Sequence, residues 1–181
     1  MRKPLTLVAL LLGFPAASRA VLTWSFQGAI PVDKQAMIRA AMDTAVSNYN
    51  AFARYNGKVF VTYNSGVPTA QTDGYQGLIE FGDAISARVA QHELGHWMGC
   101  GTFGEWNNHR SNGRWTGTNA ITRLKTYDGP GAILYCDTQH FWPYGWNYDD
   151  EGPADRNIGM VGALRRDMGL SDGTVTIKDS H

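Results

Sequence analysis

The run His92-Glu93-Leu94-Gly95-His96, followed by Trp97-Met98-Gly99, constrains this chain more than any other feature. On a helix, two histidines four residues apart share a face about one turn from each other. The stretch predicts a helix from an N-cap at Asp83 to about Met98, with Gly99 as the C′ residue. Ile85 and Val89 fall on the histidine face, so the imidazoles continue a buried apolar stripe. Buried rings need polar partners, and two imidazoles with an adjacent carboxylate suit a Zn²⁺ ion. His92 and His96 are therefore candidate metal ligands, and Glu93, beside the ion, is the candidate general base for water.

The order of elements before this helix is readable. Leu22 to Phe26 alternates around Trp24 as a strand, and Pro31 with Asp33 opens a long helix. Ala36, Met37, Ala40, Ala41, Ala45, Val46 and Tyr49 give that helix its expected apolar face, and Tyr55-Asn56-Gly57 stops it. Lys58 to Tyr63 reads as a strand broken at Asn64-Ser65-Gly66, and Gly77 to Phe81 as a further strand at the cleft edge. Beyond Gly99 the periodicity fades, and residues 102–153 are expected to be mostly loop. Ile158 to Met168 recovers helical spacing, ended by Gly169. The fold class is α+β: a small mixed sheet, a backing helix, an active-site helix and a loop-rich C-terminal half, all in one domain over residues 21–181.

Residues 1–20 read as a secretory signal: Arg2 and Lys3, the apolar run Leu5 to Phe14, then Ser18-Arg19-Ala20. The expected location is secreted or periplasmic, with no membrane attachment once the signal is removed. Basic and acidic residues balance at sixteen each, and three of the basic ones lie in the leader. With no Lys/Arg cluster, nucleic acid is not an expected partner. The two cysteines, Cys100 and Cys136, are expected to form a disulfide in an exported protein.

Through its motif the chain resembles the zincin metallopeptidases, and Gly99, three residues after His96, resembles the start of the metzincin signature. The resemblance covers residues 22–99 and implies a metalloendopeptidase with Zn²⁺ on His92 and His96, Glu93 as base, and Gly99 turning the chain. A metzincin places its third ligand where this chain has Thr102, a poor zinc ligand. His140 is the preferred replacement, inside the aromatic, turn-rich Asp137-Thr138-Gln139-His140-Phe141-Trp142-Pro143-Tyr144-Gly145 and tethered by the expected disulfide. His109 and Glu105 are the alternatives, and His181 is expected to be solvated. The stretch His140 to Tyr148 is also similar to one found after His-Glu-x-x-His in secreted bacterial proteins, some with carbohydrate-binding modules.

Met160 is a candidate for the methionine that metzincins place beneath the metal, against an ordinary core role. Tyr144 and Tyr148 are candidate donors to a developing oxyanion. The implied reaction is peptide hydrolysis of an extended peptide or protein, glycosylated or not, by a monomer. A zinc-dependent hydrolase of a glycan or ester is the rival, with Trp106, Trp115, Trp142 and Trp146 as stacking platforms. A glycan- or protein-binding module on the same scaffold is the other.

Overall fold

A computed structural model describes residues 21–170. The signal-like leader and His181 lie outside the described residues. The chain is mixed α+β. Strand β1 (Leu22–Phe26), helix α1 (Val32–Phe52) and strand β2 (Gly57–Tyr63) form a β-α-β unit whose strands pair in parallel, Trp24 opposite Val59. Strand β4 (Ile79–Phe81) pairs in parallel with β2, and β3 (Ala70–Thr72) pairs antiparallel with β4. The order is β1-β2-β4-β3. The strand expected around residues 77–81 is thus interior, with Ile79 and Phe81 buried. Its neighbour β3 takes the edge, because the chain reverses after Thr72 and Asp73 closes the turn by donating its amide to Leu78.

Helix α1 backs the sheet with Ile38, Ala41, Met42, Ala45, Val46 and Tyr49, a run at i, i+3, i+4, i+7 spacing. The expected face was correct from Ala41 onward but not before it. Ala36, Met37 and Ala40 are exposed, since Ile38 sets the register of the buried stripe.

Helix α2 (Ala87–Trp97) packs against α1 and β3. Ser86, not Asp83, caps it: the serine Oγ accepts from the Val89 amide at 3.2 Å. Asp83 instead pairs with Lys34 at 2.6 Å and accepts the Tyr63 hydroxyl at 2.8 Å. Met98 and Gly99 end the helix, and Gly99 has φ +111°, a conformation that disfavours any side chain. Helix α4 (Ala154–Asp167) packs against α1 and brings Val161 near Gly95 of α2, and the buried Arg165 donates to the Met98 carbonyl.

Residues 102–153 are more ordered than expected. They hold a 3-10 turn (Gly104–His109), helix α3 (Thr118–Asp128) and a second sheet of two-residue strands, β5 (Arg110–Ser111), β6 (Arg114–Trp115), β7 (Tyr135–Cys136) and β8 (Phe141–Trp142), paired in sequence order. Helix α3 has no cap of its own. Asp167, at the far end of α4, accepts from the Asn119 and Ala120 amides at 2.8 and 3.0 Å. Trp106 and Trp115 are buried and packed on each other, so they serve as core and not as sugar platforms. Among the described residues no helix is long and apolar enough to cross a membrane.

Cys100 and Cys136 are both buried free thiols, which corrects the expected disulfide. Cys100 faces the interior near Arg165 and Tyr49, whereas Cys136 lies near Arg110 and Asp137. Burial pushes the two thiols up to about 12 and about 11, so neither is a nucleophile or a thiolate ligand.

Candidate metal centre

Helix α2 presents His92 and His96 one turn apart, and the loop before β8 brings His140 over them. One ligand atom from each of the three lies within 4.8 Å of the others, a group that could hold a metal ion. Their ring orientations are fixed from behind. The Nδ1 of His92 lies 2.9 Å from the Gly145 carbonyl, and that of His96 lies 2.7 Å from the Cys100 carbonyl. A carbonyl only accepts, so both Nδ1 atoms carry the proton and both Nε2 atoms present a lone pair.

Those two Nε2 atoms face each other at 3.1 Å with no proton to share. A cation between them would relieve the opposed lone pairs. Ligand nitrogens on a tetrahedral metal ion, about 2.05 Å from the metal, stand roughly 3.3 Å apart. The donor set and its spacing could therefore hold a metal ion. Burial, then the neighbouring His96, pushes His92 down to about 3; burial also lowers His96. Both rings are neutral at ordinary pH, as metal ligands must be.

His140 is held by polar contacts in place of the expected tether. The Asp137 carboxylate accepts from the amides of Gln139 and His140 at 2.7 and 2.6 Å and lies 3.3 Å from the His140 Nδ1. Burial works to raise Asp137, but these hydrogen bonds outweigh it and keep the carboxyl below its usual range. A carboxylate behind an imidazole orients the ring. Trp106 pins the same turn by donating its indole N–H to the Asp137 carbonyl at 3.1 Å. Gly101 adds a steric condition: at φ +71° a Cβ there would collide with the Gln139 carbonyl oxygen.

The other candidates lie elsewhere. Thr102 lines the cleft, but its hydroxyl donates to the His96 carbonyl at 2.5 Å. His109 stacks on Trp115, and Glu105 is exposed and accepts from Asn108; neither joins the three histidines. Met160 is buried within α4 and not in a turn. Tyr144 is turned away, donating to Asp128 and accepting from Arg156, both at 2.6 Å. Tyr148 alone of the two tyrosines borders the histidines.

Glu93 lies in the same cleft, of about 270 Å³, bordered by Thr69 to Thr72 of the β3 edge and by His92, His96 and His140. Burial raises its carboxyl to about 7, against the opposing hydrogen bond from Thr72. That hydroxyl lies 2.8 Å from the Glu93 Oε2. A group that exchanges its proton near neutrality is suited to general acid–base work.

Thr72, Asp137 and the carbonyls of Gly145 and Cys100 escaped the sequence reading. Asp137, three residues before a histidine, carries a readable turn signal. Backbone carbonyls carry none. The Gly145 carbonyl is set by a buried relay: Asn48 donates to Gln91, Gln91 to Asn157, and Asn157 to the Tyr144 carbonyl, at 2.9, 3.0 and 2.7 Å.

Compared with protein-family models, curated proteins and solved structures, the chain matches none.

Proposed function

We propose that the chain is a zincin-like, zinc-dependent endopeptidase, exported after removal of residues 1–20 and active as a monomer. The observation that carries this reading is the facing pair of Nε2 lone pairs on His92 and His96, with His140 above them and the Glu93 carboxyl in the same cleft. His92, His96 and His140 would hold the ion, which when bound acts as a Lewis acid and makes water acidic enough to react near neutral pH. Glu93 takes the proton of the attacking water and returns it to the leaving amine. Thr72 holds the Oε2 of Glu93 and so aims the carboxylate. The β3 edge, paired among the described residues with β4 alone, offers backbone N–H and C=O groups to an extended peptide.

The aromatic residues Trp142 and Tyr148 beside the histidines carry the second reading. In it the same site hydrolyses a glycan or ester, or binds a ligand without turnover. Chelator-sensitive cleavage of a denatured protein is the deciding assay. Wild type is expected to cleave and to purify with one zinc per chain. Glu93→Gln should keep the zinc and lose at least about a thousandfold in rate, whereas His92→Ala should lose both. Undiminished cleavage by purified Glu93→Gln would sink the mechanism; retention on a sugar column without proteolysis would favour the second reading.

A further inference from the structure

On the far side of His140 from β3 the cleft opens into a second groove, of about 610 Å³, which His92 and His140 also border. Its walls are Trp142, Pro143 and Tyr148. Trp142 is 39% exposed and Tyr148 73%, so both rings leave apolar surface open to solvent. Tyr135, its ring nearly parallel to that of Trp142 at 12° with centroids 6.2 Å apart, supports the indole along the second sheet. The indole face is thus a fixed platform.

The polar groups at this groove are one-sided. Asp137 and Glu151 border it, and among the described residues no Lys or Arg does. Glu151 accepts from the Trp146 amide at 2.9 Å and from the Asn147 side chain at 3.0 Å, all neutral donors, so its charge is not cancelled. Arg88, in the neighbouring cleft, is occupied by Asp149 at 2.6 Å and by the carbonyls of Trp146 and Asn147. Asp137 and Glu151 are the carboxylates that border this groove, and Glu93 lies in the neighbouring cleft. The Asn147 amide N–H groups are already donated to Phe141 and Glu151, so a sugar would find acceptors but few donors here.

We infer that this groove is a specificity subsite that takes a lysine or arginine side chain of the peptide substrate, its stem along Trp142 and Tyr148 and its cationic head toward Glu151. The inference rests on the peptidase reading for the word substrate, not for the binding itself. An alkyl stem covers apolar wall while its charged head stays polar, and a cation over an indole face gains further attraction. A neutral aliphatic side chain would use the walls alone.

The test is equilibrium binding of labelled short alanine peptides bearing a single lysine, glutamate or leucine to zinc-supplied Glu93→Gln protein at low salt, with a chitin oligosaccharide as a further arm. The lysine peptide is expected to bind about five- to tenfold tighter than the other two. Trp142→Ala and Tyr148→Ala should each erode that preference; the exposed Tyr148 guards against a folding defect. Equal affinities, no binding, tighter binding of leucine or of the sugar, or a preference unchanged in both variants would overturn it. A lysine preference in a protein whose wild type cleaves no peptide supports the groove and removes the peptidase reading. Cleavage without a lysine preference does the reverse.

Discussion

The two halves of the site are ordered by different forces. Up to Gly99, His92, Glu93 and His96 ride on a regular helix whose other face, through Ala90, Leu94 and Trp97, is buried against α1 and the sheet. Beyond it, His140 stands on a turn held by the Asp137 carboxylate, the Trp106 indole and the clearance at Gly101. The helix is positioned by apolar burial, which is large and non-directional. The turn is positioned by a few directional hydrogen bonds, each small. Damage to the helix should therefore register in global stability, and damage to the turn in metal affinity.

The largest expected contrast comes from Leu94→Ala. Leu94 is fully buried, so the truncation should cost about 2–5 kcal/mol in denaturant unfolding. Zinc should still bind stoichiometrically to whatever fraction stays folded. If the variant lost zinc with its stability intact, the division of labour between the halves would be wrong. Asp137→Ala is the converse. It removes what the Gln139 and His140 amides and the His140 ring lean on, and should weaken zinc binding about 10–100-fold while leaving most of the stability. Competitive chelator titration beside a melting curve reads both numbers.

Glu93→Gln sharpens the comparison within the helix. Its carboxyl is raised by burial to about 7, so the metal-free fold disfavours the ionised form. Stability from this group is present below the unfolded value near 4.5 and is lost as pH rises toward 7. Above that range the amide should stabilise the metal-free protein by about 1–3 kcal/mol, even as, on the proposed peptidase mechanism, it abolishes turnover. A lower melting temperature for the variant in mildly alkaline buffer would contradict this.

The most gradual effect concerns pH and the two helical histidines. Their folded values are depressed, His92 to about 3, from 6.5. Their contribution to stability is thus full above 6.5 and declines as pH falls toward 3. Metal-free protein should lose stability gradually over that window, and zinc affinity should fall with it because each ligand must shed its proton. A Glu93→Gln background isolates this trend from the opposing one of the carboxyl.

Much of the first half was legible because its signals are local. Leu22 to Phe26 forms the strand its alternation predicts, and the stripe from Ala41 to Tyr49 is buried as its spacing requires. The second half was read too loosely for an equally physical reason. Helix α3 takes its cap from Asp167, and Trp115 donates its indole N–H to the same residue at 2.8 Å, so the stabilising partner is far away in sequence. The disulfide expectation used compartment and count, neither of which says which way a thiol faces.

What the sequence determined by itself was the helical pairing of His92 and His96 with Glu93 between them, because a fixed rise and rotation per residue dictates which side chains share a face. It also put His140 ahead of His109 and Glu105 for the third position, partly on a disulfide that does not form. What actually holds His140 there belonged to the tertiary structure, since it depends on how a turn more than forty residues away is carried by Asp137, Trp106 and the bare Cα of Gly101. The edge position of β3 and the open faces of Trp142 and Tyr148 are likewise properties of assembly, because strand order and exposure are set by what packs alongside and not by the residues' own spacing.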